Sequence, residues 1–116
     1  MNIEEIREYC LEKKAVTECF PFDEETLVFK VAGKMFALSA LEKRNNIVLK
    51  CEPERAIQLR EEYDEIQAAW HMNKIHWNQI NLNGQVPDKL IIELITHSYN
   101  LIVGKLPKKL RNELFG

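Results

Sequence analysis

Apolar residues recur at helical spacing from the start of the chain, with Ile3, Ile6, Cys10 and Leu11 on one stripe. Asn2 followed by Glu5 has the spacing of a capping box. Glu4 and Glu5 in the first turn, with Lys13 and Lys14 in the last, suit the helix dipole. The pattern predicts a helix over 3–14 with an acidic, solvated outer face. From Thr26 the period changes to two. Leu27, Phe29 and Val31 face one way, and Val28 and Lys30 the other. After Ala32-Gly33 the run 34–39 alternates again, placing Phe36 and Leu38 on one face. Two strands separated by two residues ending in Gly predict a tight hairpin, because Gly33 supplies the positive φ of such a turn. Ile47, Leu49 and Cys51 mark a third strand.

Pro53 fits the first turn of a second helix, which runs to about residue 62. Residues 64–69 read as a loop. A short strand near 68–72, a connection at 73–76 and a strand over 77–82 follow. Asn83-Gly84 is a turn, and Pro87 opens the longest apolar helix. There Leu90, Leu94 and Leu101 form one stripe and Ile91, Ile95 and Ile102 the adjoining one, a width that belongs against a sheet. Gly104 is the expected C-cap and Pro107 the stop. A basic amphipathic tail helix covers 108–114. Between the first helix and the first strand, Cys19-Phe20-Pro21-Phe22 reads as a stiff loop whose phenylalanines plug the core. The order is α-β-β-β-α-β-β-α plus the tail helix. Short turns between strands imply an antiparallel sheet of about five strands with helices on one face. The predicted fold class is a two-layer α+β domain, residues 1–116 forming one unit.

Charge changes the picture more than composition does. The net charge is −2, but residues 1–25 carry three basic and eight acidic groups, while 26–50 carry five basic and one acidic. Residues 51–104 carry four basic and eight acidic, and 105–116 four basic and one acidic. A local basic face built from the second and last segments is compatible with nucleic acid despite the overall acidity. Cys10, Cys19 and Cys51 are odd in number and lack CxxC spacing, so they read as reduced thiols. The polar first residues do not read as a signal peptide, and no apolar run reaches the ~20 residues of a membrane helix. The expectation is a cytoplasmic protein that does not enter a membrane.

The most unusual stretch is Trp70-His71-Met72-Asn73-Lys74-Ile75-His76-Trp77-Asn78, which holds both tryptophans and two of the three histidines. His71 and His76 lack a third ligand at recognisable spacing, so they are expected to be structural, with no metal. No Gly-rich phosphate loop is present, no Cys stands beside a His, and no acid pair looks tuned for proton transfer. The expectation is no cofactor and no enzymatic chemistry. Two readings of the stretch remain. In one, the tryptophans pack about a turn while Asn73 and Asn78 bond backbone groups. In the other it is a binding surface.

For a nucleic-acid surface the candidates are Lys34, Lys43, Arg44, Lys74, Lys108, Lys109 and Arg111 for phosphate. His71, Asn73, His76, Trp77 and Asn78 add polar or stacking contacts. Lys30, Lys50 and Lys105 are basic positions of the same segments. The bland alternative for the strand lysines is an edge guarded against aggregation.

Phe20-Pro21-Phe22, Leu27-Val28-Phe29-Lys30-Val31 with Gly33-Lys34-Met35-Phe36-Ala37, and residues 46–50 resemble the MmcQ/YjbR family. So do Pro53-Glu54-Arg55-Ala56, His71-Met72-Asn73-Lys74 with His76-Trp77-Asn78, and Leu106-Pro107-Lys108-Lys109. The resemblance runs over nearly the whole chain and is most specific at Met72-Asn73-Lys74 with His76-Trp77. It implies a small, single-domain, mainly bacterial protein with an antiparallel sheet, related in fold to secretion chaperones. It also implies the label DNA-binding, with a "double wing" motif, and keeps a chaperone-like or protein-interaction module as the alternative. Lys13-Lys14-Ala15 and Asp23 depart from the family pattern, both in loops.

Overall fold

The computed structural model describes residues 1–40, 45–69 and 72–116. Helix α1 (Ile3–Glu12) begins with the capping box its sequence announces: Asn2 Oδ1 accepts from the Glu5 N–H and Glu5 Oε1 from the Asn2 N–H. It ends two residues before Lys14, because Ala15 adopts φ 63° and turns the chain back. The return segment is strand β1 (Val16–Cys19), which the sequence pattern did not reveal. Strands β2 (Thr26–Val31), β3 (Lys34–Ala40) and β4 (Asn46–Lys50) follow, then α2 (Pro53–Glu62), β5 (Ile66–Ala68), β6 (Trp77–Asn81), α3 (Asp88–Gly104) and α4 (Lys108–Phe115). The sheet therefore has six strands rather than five, in the order β1-β2-β3-β4-β6-β5, all neighbours antiparallel. The last pair forms earlier than predicted, since β5 occupies part of the expected 64–69 loop.

Helix α1 lies over β1, α3 crosses β3 and β4, and α2 packs on β5. Their apolar stripes meet the sheet at Ile6, Phe29, Ile47, Ile80, Ile91 and Ile95, all essentially sealed from solvent. A smaller cluster of Val28, Leu38, Ala69 and Trp77 lies on the opposite face. The two faces are not kept by simple alternation. Phe29 pairs with Ala37 but Lys30 pairs with Met35, so Phe36 is an extra residue in β3. This β-bulge turns both Phe36 and Ala37 toward the helices and sends Leu38 to the other side. The predicted sharing of one face by Phe36 and Leu38 is thereby corrected.

Ser98 of α3 completes the irregularity. Its hydroxyl donates to the Phe36 carbonyl at 2.6 Å and accepts from the Lys50 N–H at 3.0 Å. It stands where the β3–β4 ladder would place its next pair beyond Ala37 and Leu49. Buried backbone groups need partners, and this hydroxyl supplies both.

Two further expectations change. Phe20 and Phe22 do not plug the core but stand 48% and 63% exposed, because the new strand carries Phe20 past the sheet edge. Gly104 is not a left-handed cap. It is the last residue of α3, and the cap is Lys105 in right-handed helical geometry, its N–H bonded to the Ile102 and Val103 carbonyls. Pro107 then starts α4.

Candidate nucleic-acid interface

In an antiparallel sheet, strand direction decides which loops share an end. One end here gathers the turn into β1, the Ala32-Gly33 hairpin, the end of β4 and the connection that precedes β6. Helix α3 runs toward that end, since it starts at Asp88, crosses the sheet at Ser98 and finishes beside Lys50. The described cations Lys34, Lys50, Lys74 and Lys105 consequently lie at this end, with Lys108 and Lys109 opening α4 next to it. The other end holds Asp23, Glu24 and Glu25 before β2, Asp64 and Glu65 before β5, and Asp88 at the start of α3. The folded chain thus gathers most of its lysines from scattered segments to one end of the sheet.

The hairpin that presents Lys34 is a two-residue turn with both central residues at positive φ, 50° at Ala32 and 82° at Gly33. That geometry matches the twist of the flanking strands. Lys34 is exposed just beyond it. Lys74 is presented by a second rigid device. Asn73 Oδ1 accepts from the Ile75 N–H at 2.9 Å, and the Asn73 carbonyl accepts from the N–H groups of His76 and Trp77. Arg60 of α2 donates to the Lys74 carbonyl at 3.1 Å, and the His76 carbonyl accepts from the Cys51 N–H at 2.8 Å. The connection is pinned on both sides, and the Lys74 side chain is left exposed.

The remaining candidates divide by burial. Trp77 is only 9% exposed, its ring packed with Val28, Leu38 and Ala69. Asn78 is 3% exposed and donates to the Ala56 carbonyl at 3.2 Å, which ties α2 to β6. Both side chains are thus enclosed by the fold, and the Asn78 Oδ1 is buried without a hydrogen-bond partner among the described residues. Asn73 is exposed, but its amide oxygen is used by the turn. His76 is half-buried. Arg111 folds back to donate to the Gly104 carbonyl at 3.2 Å. Lys43, Arg44 and His71 lie outside the described residues, as does Trp70.

Glu12, Glu52 and Glu54 also reach this end, from the last turn of α1 and the start of α2, but the cations outnumber them. The ion pairs among the described residues join Met1 to Asp88, Arg7 to Glu18 and Arg55 to Glu93, and none involves a lysine. Burial, and after it the Lys105 ammonium, push the Lys50 ammonium below the ordinary lysine range. Lys13 and Lys14 are used locally, standing over the rings of Tyr99 at 5.3 Å and Phe115 at 6.0 Å. Lys50 and Lys105 are the residues that sequence reasoning left outside its site. The signal that would have found them is strand direction, which only the missing β1 and the course of α3 make readable. Among the described residues no group of three or more His, Cys, Asp or Glu could hold a metal ion.

The family model described as YjbR matches residues 11–101, most of the chain. The chain belongs to the YjbR family. It is 33% identical to the Escherichia coli K12 protein YjbR over 115 residues, covering 98% of each chain. It is 36% identical to YbdF of E. coli O157:H7 over 107 residues, covering 91% of this chain and 88% of that one. Both of those proteins are described as uncharacterized. Among solved structures, a Deinococcus radiodurans protein superposes with a TM-score of 0.91 at 39% identity, over 97% of this chain and 86% of that one. A Pseudomonas syringae protein superposes with a TM-score of 0.76 at 29% identity, over 87% and 98%. The family match includes Lys34, Lys50 and Lys74 and stops before Lys105 and α4. No helix among the described residues is long and apolar enough to cross a membrane.

Proposed function

We propose that this YjbR-family protein binds DNA through the lysine-rich end of its sheet, as a binding protein and not as an enzyme. The observation that carries this reading is the segregation of charge. Lysines from two turns, one strand end and one helix end converge without a carboxylate partner among the described residues, opposite an acidic end. Lysine ammonium groups attract phosphate and release its condensed counterions, a term that needs no base contact. Such contacts position a protein on DNA without reading sequence. The acidic far end turns the molecule so that the basic end meets the polyanion first. Trp77 is buried, so base stacking on it is unavailable, and that favours duplex over single strands. The test is fluorescence anisotropy with labelled duplex at several salt concentrations. Three or four neutralised phosphates give a slope of log K against log salt of about −3. A duplex that fails to bind at low salt overturns the reading.

A second reading, a protein-interaction module, has its own observation. A groove between α1 and edge strand β1 is lined by Ile3, Arg7, Glu18 and Leu27, and the exposed Phe20 stands at its mouth. Loss of client binding on Phe20→Ser, with duplex binding intact, would favour it.

A further inference from the structure

Strand β1 is an edge of the sheet and pairs on one side, with β2. The Ala32 N–H donates to the Ala15 carbonyl at 3.2 Å. In the register that sets Val16 opposite Val31, the bonded pairs are then Thr17 with Lys30 and Cys19 with Val28. The N–H and C=O groups of Val16 and Glu18 therefore point outward, along an edge with no strand beside it. Their side chains turn to the helix side, where Val16 packs on the main core and Glu18 meets Arg7 of α1.

A groove of about 440 Å³ lies beside this edge. It is lined by Ile3, Glu4 and Arg7 from α1 and by Glu18, Phe20 and Leu27 from the sheet side. Phe20 leaves a large apolar ring half in water at its mouth. Glu4 is exposed there, and Glu24 and Glu25 are exposed just beyond Phe22. None of these three carboxylates forms an ion pair among the described residues.

A second copy of the chain does not fit this edge. Paired strands lie about 4.7–4.9 Å apart, whereas packed helices need about 8–10 Å. Each copy carries its own α1 over its own β1, so two such helices would overlap. A bare extended segment brings no helix. Antiparallel to β1, its N-terminal half runs past Phe20 toward Glu4, Glu24 and Glu25. Its residue opposite Glu18 exchanges both backbone hydrogen bonds with Glu18 and shares its face. That side chain enters the groove, where the apolar lining selects an aliphatic group. The open carboxylates select Lys or Arg on its N-terminal side.

We propose that β1 is a docking edge for an extended peptide segment of a partner protein, added as a further antiparallel strand, with an aliphatic side chain in the groove and Lys or Arg before it. This names the partner for the protein-interaction reading and rests on that reading. It is independent of DNA binding, which uses the other end of the sheet.

The probe is the blocked peptide acetyl-Lys-Lys-Thr-Leu-Thr-Val-Thr-amide, titrated into the isotope-labelled full chain. The Val16 and Glu18 amide resonances are expected to shift and saturate, while those of Lys34 and Lys74 stay still. N-methylation of the peptide leucine, whose N–H donates to the Glu18 carbonyl, should weaken binding about tenfold or more. N-methylation of the threonine after it, whose N–H points to solvent, should change binding by no more than about twofold. Glu4→Gln should weaken binding about two- to fivefold, as for an exposed ion pair. Binding that survives N-methylation of the leucine overturns strand addition and leaves the protein-interaction reading standing. No shift at millimolar peptide overturns both. If the Val16 and Glu18 amides shift when the protein alone is concentrated, the edge takes a second copy and the proposal is overturned.

Discussion

The two ends of the sheet use charge differently. At the acidic end three of the carboxylates, those of Asp23, Glu65 and Asp88, serve the chain itself. Asp23 accepts from the N–H groups of Glu25 and Thr26 and from the Thr26 hydroxyl. Glu65 accepts from the Gln85 N–H, and Gly84 packs so tightly on its stem that no Cβ fits there. Asp88 accepts from the Met1 amino group at 3.2 Å. At the lysine-rich end the backbone is equally well fixed, but by Ser98, Asn73 and the Ala32-Gly33 turn, while the ammonium groups of Lys34 and Lys74 form no hydrogen bond or ion pair among the described residues. Charges that fold the chain are engaged, and charges that the fold merely presents are open to a partner. That contrast, more than the number of lysines, points to function.

The largest effect is expected where the basic end is held from beneath. Ser98→Ala removes the partner of two buried backbone groups, the Phe36 carbonyl and the Lys50 N–H. Leaving both unpaired should cost about 3 kcal/mol of stability in urea unfolding. A loss under about 1 kcal/mol would mean that the strands close the gap directly and that Lys50 needs no support from α3.

Binding should respond next, and only at one end. Lys34→Ala/Lys74→Ala/Lys108→Ala is expected to abolish most of the duplex binding and to bring the salt slope from about −3 close to zero. Stability should stay within about 0.5 kcal/mol of wild type, because none of these side chains packs. Glu24→Gln/Glu25→Gln, at the far end, should leave affinity equal or slightly higher. Equal losses from both variants would erase the comparison.

Acid should separate the ends in the opposite sense. Backbone N–H groups hold the Asp23 carboxyl below its ordinary 3.8, and the hydrogen bond from Arg7 holds Glu18 below 4.5. A depressed folded pKa gives stability that is present above the unfolded value and lost as pH falls through the folded one. Unfolding midpoints should therefore drop as pH falls from about 5, and Asp23→Asn should flatten the lower part of that decline. An unchanged pH profile in Asp23→Asn would show that the turn does not draw on the charged carboxylate.

Most of the architecture was legible because helix and strand periods are local. Capped α1, Pro-started α2, the β2–β3 hairpin and the apolar stripes of α3 stand in the sequence. What escaped depends on partners far along the chain. Strand β1 is four residues long, and its Glu18 faces the helix side only because Arg7 meets it in a two-point ion pair at 2.6 and 2.7 Å. The bulge at Phe36 is invisible without the pairing to β2, and Lys50 and Lys105 share an end of the sheet only because α3 crosses it. The candidate lysines could be named from composition. Their shared end could not.

The smallest effect tests the hairpin that carries Lys34. Ala32 sits at φ 50°, a left-handed conformation that strains any residue with a Cβ. Asparagine tolerates it far better, and Asn-Gly is the preferred pair for a turn with both central residues at positive φ. Ala32→Asn should therefore stabilise the protein by about 0.5–1 kcal/mol, read as a raised melting temperature. Its backbone conformation already exists in the wild type, so the Lys34 ammonium keeps its position and duplex affinity should not change. If affinity falls while stability rises, the strained alanine has been supplying a flexibility that the lysine-rich end uses, and a rigid presentation of Lys34 would be the wrong account of that end.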